Sequence, residues 1–225
     1  MAESRRVVVV SATPVEVAAA RVVAALARFA SPRLAVAGGS ALAVLGQVRR
    51  TLPAGAWRAL RLTWVDERCV PLASSESNRG LAWRAGHLDA ADPPALELPL
   101  YLDGEDLASA CARVQRALAA EFAGGLDVLL LGMGPDGHIA SLFPGGPTAS
   151  TGDLVMPVRS SPKAPAQRIT LTLDFLRTVP AAVLLAVGES KRVALMRLVR
   201  GDPELAASAL AALVVVTDLD LGERA

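Results

Sequence analysis

Short apolar runs and amphipathic stretches follow one another along the chain in an order that predicts strands and helices in alternation. Val7 to Val10, Arg33 to Val36, Arg61 to Val65, Ala181 to Val187 and Leu213 to Thr217 read as strands, the first and fourth of them as buried ones. Leu126 to Leu131 is a nearly continuous apolar run bounded by glycines, the pattern of a central parallel strand covered on both faces. Thr13 as cap, Pro14 at the first helical position and Glu16 completing a capping box start the first helix. Its apolar stripe is Val15, Ala19, Val22, Leu26 and Phe29. Ala41 to Arg50, Arg79 to Arg84 and the passage from Gly188 through Arg200 are helical, and Asp106 to Phe122 carries Leu107, Cys111, Val114, Leu118 and Phe122 inward. Gln167 to Leu173 alternates with period two, a further strand with Arg168 and Thr170 on one side. Pro93 to Pro99, Pro144 to Gly152 and Ser160 to Ala166 read as connections. The pattern predicts an α/β fold: an open, mostly parallel sheet with helices on both faces and a ligand site at the carboxyl ends of the strands.

Composition narrows this picture. A length of 225 residues suits one domain with a substantial core. Hydrophobic residues make up 52% and aromatic ones only 4%, so the core is expected to be built from Ala, Val and Leu. Lys plus Arg number 23 against 22 Asp plus Glu, which provides no basic field for nucleic acid and makes any anion site a local one. Cys69 and Cys111 are too few for a disulfide framework and lack metal-ligand spacing, as in a reducing compartment. No apolar run approaches the roughly 18 residues of a membrane span, and the amino terminus passes straight into a valine-rich strand rather than a secretory segment. A cytoplasmic protein without a membrane partner is expected.

Candidate chemistry is densest in the loop leaving the Leu126 to Leu131 strand, G-M-G-P-D-G-H-I-A-S-L-F-P from Gly132 to Pro144. Gly132, Gly134 and Gly137 permit positive φ and close approach of a ligand. Asp136 and His138 are the loop's titratable side chains. His138 is one of two histidines, and an imidazole with an unperturbed pKa of ~6.5 exchanges a proton near neutrality, as a general base must. Asp136 either bonds its own loop backbone or orients His138. The string also matches a dinucleotide fingerprint. Against that stand Pro144, which cuts short any following helix, the negative charge of Asp136 where a pyrophosphate belongs, and the lack of a strand before the next acid, Asp153.

Other strand ends carry similar groups. Gly38-Gly39-Ser40 is either a serine-capped turn or a helix N-terminus offering its amides to a phosphate. Asp66-Glu67-Arg68, three charges that cannot all be buried, form a solvated turn or line the same cleft as His138. Ser77-Asn78 reads as a helix cap, and His87 as a histidine at a helix C-terminus. Lys191 stands in a first helical turn against the dipole, as a surface lysine or one facing an anion.

Together, Gly38-Gly39-Ser40, Asp66-Glu67-Arg68, Asn78, the Gly132 to Pro144 run, Arg168-Ile169-Thr170 and Gly188 with Lys191 resemble the 6-phosphogluconolactonase family over nearly the whole chain. The resemblance implies a modified Rossmann-like fold, shared with the glucosamine-6-phosphate deaminases. The deaminase pattern has a glutamate immediately before the proline, where this chain has Phe143, and a tyrosine where Arg68 stands, so the lactonase branch is favoured. It implies hydrolysis of 6-phospho-D-glucono-1,5-lactone to 6-phospho-D-gluconate in the oxidative pentose phosphate pathway, with no cofactor and no metal. The partner implied is the sugar-phosphate lactone, and a monomer or weak homodimer is expected. A sugar lactone is an activated ester that needs a positioned water, a base and oxyanion stabilisation rather than a covalent nucleophile, so the absence of a G-x-S-x-G elbow is no obstacle. On this reading His138 is the base, with Asp66 beside it in the catalytic pair. Gly38, Gly39, Ser40, Arg168 and Lys191 hold the 6-phosphate. Asp66 and Asn78 meet sugar hydroxyls or water, Arg68 meets phosphate or oxyanion, and Asp136 and Gly137 complete the loop. The rivals are a phosphosugar deaminase, a sugar-phosphate sensor and a hydrolase using Cys69. The family's C-terminal Pro-Ala-Ser turn reads Ala206-Ala207-Ser208 here, and the ending from Asp218 diverges, which leaves a last helix open.

Overall fold

The computed structural model describes residues 5–147 and 152–222. Its strands are β1 (Arg5–Val10), β2 (Arg33–Val36), β3 (Arg61–Trp64), β4 (Asp66–Arg68), β5 (Leu96–Leu98), β6 (Val128–Gly132), β7 (Val155–Val158), β8 (Arg168–Leu171), β9 (Ala182–Leu185) and β10 (Ala212–Thr217). Its α-helices are α1 (Pro14–Leu26), α2 (Ala41–Thr51), α3 (Ala54–Ala59), α4 (Asn78–Arg84), α5 (Leu107–Glu121), α6 (Leu173–Arg177) and α7 (Arg192–Val199).

Seven strands form one sheet in the order β1-β10-β9-β6-β2-β3-β5, and every neighbouring pair runs parallel. The apolar run expected at the centre is there: β6 is flanked by β9 and β2, and Val128 to Leu131 are all buried. Successive side chains point to opposite faces, so this burial requires cover on both. Helices α1 and α2 pack on each other, α1 over β6, β9 and β10 and α2 over β2 and β6. Alongside the Ala, Val and Leu core, Trp57, Trp64 and Phe122 are fully buried. Among the described residues no helix is long and apolar enough to cross a membrane.

Four local expectations are corrected. β1 is an edge strand, with Val7 and Val10 exposed, because only β10 pairs with it. Thr13 occupies the N-cap of α1 but its side chain caps nothing; Ser11 Oγ instead accepts a hydrogen bond from the Thr13 amide at 3.0 Å. Phe29 lies past the end of α1 and is exposed. The Pro93 to Pro99 connection contains β5, which pairs with β3 at the other edge of the sheet.

The largest difference is a second, antiparallel sheet in the order β4-β8-β7. Asp66-Glu67-Arg68 is a strand in it rather than a solvated turn, and Asp66 and Glu67 are both buried. Val65 is the seam. Its amide donates to Val36 O in the large sheet, and its carbonyl accepts from the Leu171 amide in the small one. Of the alternating segment Gln167 to Leu173, Arg168–Leu171 is β8 of the small sheet, buried throughout, while Thr172 caps α6 and Leu173 begins it. Residues 148–151 of the Pro144 to Gly152 passage lie outside the described residues, and among those described no helix follows β10.

Candidate active site

In the large sheet the chain runs from β2 outward to β3 and β5, returns to β6, and then builds β9 and β10 on the other side. Such a reversal opens a crevice at the carboxyl ends of the central strands. A cleft of about 260 Å³ lies there. Gly38, Gly39 and Ser40 reach it from the turn after β2, Asp66 and Arg68 from β4, and Asn78 from the start of α4. His138 comes from the loop after β6, Arg168 from β8 and Lys191 from the turn after β9. Asp136 and Gly137 are not in the lining: the first stands behind His138 and the second makes the turn between them at φ 92°.

The loop after β6 contains turns and one isolated bridge, Ile139 to Leu142, but no helix. A dinucleotide loop needs a helix N-terminus at this point, so the fingerprint match is accidental. Of the three glycines that permit positive φ, Gly137 adopts it. Gly132 ends β6. Gly134 is required for another reason: a Cβ there would lie 2.1 Å from the His138 ring.

His138 Nδ1 is 2.6 Å from Asp136 Oδ1, and its ring stacks against Phe143 with centroids 4.5 Å apart. Burial works against the charged form of Asp136, but the hydrogen bonds from His138 and Lys163 outweigh it and hold the pKa at about 2. An ionised carboxylate only accepts, so Nδ1 carries the proton and Nε2 keeps its lone pair. Burial lowers the His138 pKa below its ordinary 6.5, and the opposing pull of Asp136 does not restore it. The imidazole is therefore neutral at neutral pH, with its basic nitrogen free.

The cations divide into two kinds. Arg168 is buried, and its donors are largely taken by protein: Nε by Pro165 O, Nη2 by Lys163 O and Ala164 O, and Nη1 by Ser141 Oγ at 3.4 Å. Arg168 lines the cleft, but with Nε and Nη2 held by backbone carbonyls a two-point grip on phosphate would have to displace some of those bonds. Arg68 donates from Nη1 to Glu76 O at 2.6 Å, while its buried Nε has no partner among the described residues. Lys191 ends a 3-10 turn, Glu189–Lys191, and the carboxylate acting on it, Asp136, does so through space. Burial and then the Lys163 ammonium lower its pKa. A partly buried cation that feels Asp136 but makes no bond to it suits an additional anion. Ser40 sits at the N-cap of α2 without a side-chain cap bond, which removes the serine-capped turn, and the amides of Gly38, Gly39 and Ser40 donate to nothing among the described residues.

Asp66 Oδ2 accepts from Ser141 Oγ at 2.6 Å and lies 4.0 Å from Arg168 Nη1. Asn78 Nδ2 donates to Asp66 O at 3.1 Å, which leaves its buried Oδ1 unpartnered. A Cβ at position 38 would fall 1.9 Å from that oxygen, so Gly38 is what lets Asn78 reach the cleft. Ser77 caps α4 by accepting from the Gly80 amide at 2.9 Å. His87 packs its ring where a Cβ on Gly46 would stand, and burial lowers its pKa, so packing, not the helix dipole, accounts for it.

Sequence reasoning missed three groups: Ser141, which binds Asp66; Glu67, which anchors α4; and Lys163, whose Nζ is 3.0 Å from Asp136 Oδ1. For Lys163 a signal was present. Of the 23 lysines and arginines only Lys163 and Lys191 are lysines, and both stand beside Asp136.

The sequence family described as glucosamine-6-phosphate isomerases/6-phosphogluconolactonase matches residues 8–216. The 6-phosphogluconolactonase of Rattus norvegicus is 37% identical over 179 residues, covering 76% of this chain and 68% of that protein. The Mycobacterium leprae protein of the same name is 38% identical over 174 residues, 72% of this chain and 70% of its own. Among solved structures, 6-phosphogluconolactonase from Thermotoga maritima aligns with a TM-score of 0.79 at 22% identity, covering 95% of this chain and 99% of the other. A monomeric glucosamine-6-phosphate deaminase aligns almost as well, with a TM-score of 0.75 at 19% identity over 95% and 96% of the two chains. The fold is therefore common to both activities.

Proposed function

The chain belongs to the family of glucosamine-6-phosphate isomerases and 6-phosphogluconolactonases, and from that premise we propose that it hydrolyses 6-phospho-D-glucono-1,5-lactone to 6-phospho-D-gluconate by general-base activation of water. The observation that carries the lactonase reading is the environment of His138. Its proton is fixed on Nδ1 by Asp136, and the position before Pro144 holds the Phe143 ring against the imidazole instead of an acid.

His138 Nε2 takes a proton from water as the water oxygen attacks the lactone carbonyl carbon. The carbonyl π electrons move onto oxygen, giving a tetrahedral oxyanion. When the oxyanion collapses, the bond from the former carbonyl carbon to the ring oxygen breaks, and the imidazolium returns its proton to that oxygen. The amides of Gly39 and Ser40, the Lys191 ammonium and the Arg68 guanidinium bind the 6-phosphate; a guanidinium offers several donors to one anion and an ammonium a compact charge. Arg168 holds the 163–165 segment in place, while Asp66 and Asn78 Oδ1 receive sugar hydroxyls.

The reading is tested by the disappearance of freshly generated 6-phosphogluconolactone above its spontaneous hydrolysis, with ammonia release from glucosamine 6-phosphate as the control. Ammonia without lactone hydrolysis would give the site to the deaminase branch. A neutral base with a lowered pKa is active until it is protonated, so kcat/KM is expected to hold through neutrality and fall in acid with a midpoint below 6.5. A midpoint above that value would exclude His138 as the titrating group. Lys191→Ala is expected to raise KM for the phosphorylated lactone about 10- to 100-fold, the worth of a hydrogen bond to a charged group, with little change for unphosphorylated gluconolactone. Equal effects on both would remove Lys191 from phosphate binding. The Cys69 alternative is weak on chemical grounds: burial pushes that thiol up to about 12, too high for a thiolate nucleophile at neutral pH.

A further inference from the structure

We propose that Lys163 is a positioning residue for the reaction assigned to His138: its ammonium pins Asp136 beneath the imidazole and opposes a second proton on the ring, so that Nε2 stays free as a base. This rests on the lactonase reading above and adds to it a residue outside the cleft lining.

The geometry is a triangle. Asp136 Oδ1 accepts from both His138 Nδ1 at 2.6 Å and Lys163 Nζ at 3.0 Å, and the two nitrogens stand 3.3 Å apart. With Nδ1 protonated toward Asp136, both nitrogens are donors, so the contact between them is not a hydrogen bond. It is tolerable beside a neutral imidazole and repulsive beside an imidazolium. Asp136 alone would favour the imidazolium; Lys163 offsets that pull while preserving the hydrogen bond that selects the tautomer.

The other groups facing the ring do not perform this task. Asp66 of β4 favours the charged form. Phe143 is apolar and has the Arg168 guanidinium 5.7 Å from its centroid. Lys191 feels Asp136 but makes no bond to it. Lys163 is also held in place. Its carbonyl and those of Ala164 and Pro165 accept from Arg168, and its amide donates to Ser161 Oγ at 3.2 Å. That accounts for the use of buried Arg168 donors on a loop: they fix the backbone from which the lysine reaches.

The test compares Lys163→Met, which removes the charge, with Lys163→Arg, which keeps it. With two histidines in the chain, the imidazole Cε1 protons titrate as two resonances, and His87→Gln assigns them. In Lys163→Met the His138 midpoint is expected to rise by about one pH unit, with His87 unmoved as the report of an intact fold; in Lys163→Arg it is expected to stay near the wild-type value. The acid limb of kcat/KM for 6-phosphogluconolactone should shift with it, so that the deficit of Lys163→Met is about tenfold in acid and shrinks toward alkaline pH. An unmoved His138 midpoint overturns the proposal, as does an activity loss of the same factor at every pH. A rise in KM confined to the phosphorylated lactone also overturns it, by making Lys163 a substrate ligand. The titration needs no turnover, so an inactive wild-type protein would sink the lactonase reading while leaving the coupling measurable.

Discussion

His138→Ala is expected to lower kcat for 6-phosphogluconolactone about a thousandfold, the middle of the range for loss of a positioned general base. The size follows from what the rest of the site lacks. No other side chain in the cleft combines a neutral, unprotonated nitrogen with a fixed partner; Asp66 is committed to Ser141 at 2.6 Å, and the cleft's other charged groups are cations. The phosphate contacts are untouched by the substitution, so KM should change little. Thermal unfolding should shift only modestly: the ring gives up a contact with Phe143 and a hydrogen bond to Asp136, but that partly exposed carboxylate keeps Lys163 and gains water. The measurement is lactone decay corrected for the uncatalysed rate, beside a melting curve. Activity that survives in a folded variant would keep the enzyme and refute the base.

Glu67→Ala is expected to be the most destabilising of the substitutions considered, by about 3–5 kcal/mol, because unsatisfied buried donors cost about 1–3 kcal/mol each and water restores some of them. The buried carboxylate accepts from the amides of Arg68, Asn78 and Arg79, each at 2.8 Å, and from Ser77 Oγ at 3.2 Å. It closes the N-terminus of α4 against the end of β4, with a helix dipole favouring negative charge there. For a chain of this length such a loss lowers the melting temperature by roughly 10 °C. Asp66 and Arg68 flank Glu67, so the cleft should loosen as well, and protein that remains folded should show a raised KM. A melting temperature within about 2 °C of wild type would mean that water replaces the carboxylate freely. Desolvation raises the Glu67 pKa despite its four donors. With the folded value above the unfolded one, this group costs stability as pH rises through that window and none is lost from it in acid. Acid unfolding is expected instead from carboxylates held low, such as Asp136 at about 2.

The parallel sheet was legible because each of its inner strands is a local signal. Arg33–Val36 is reproduced residue for residue, and Val128–Gly132 falls within two residues of the apolar run that announced it. The small sheet was not, since Asp66-Glu67-Arg68 carries three charges and no apolar pattern. Its strand character comes from pairing with Arg168 to Thr170, about a hundred residues away in the chain. The site divides in the same manner. His138 stood out by residue type and by its glycine-rich loop, whereas Ser141 and Lys163 had ordinary roles until the fold placed them 2.6 Å from Asp66 and 3.0 Å from Asp136.

What the chain determined by itself was therefore the inventory: strand ends carrying glycines, carboxylates, a histidine and cations, and the family resemblance that their order conveys. The tertiary structure decided which of these groups address a ligand and which address the protein. Arg168 and Lys191 look alike as cations at strand ends, but the first has Nε and Nη2 held by neighbouring carbonyls, whereas the second feels Asp136 only through space. Hydrogen bonding is decided over a few tenths of an ångström. Residue order sets which groups approach one another, and only packing of the two sheets at Val65 sets how closely.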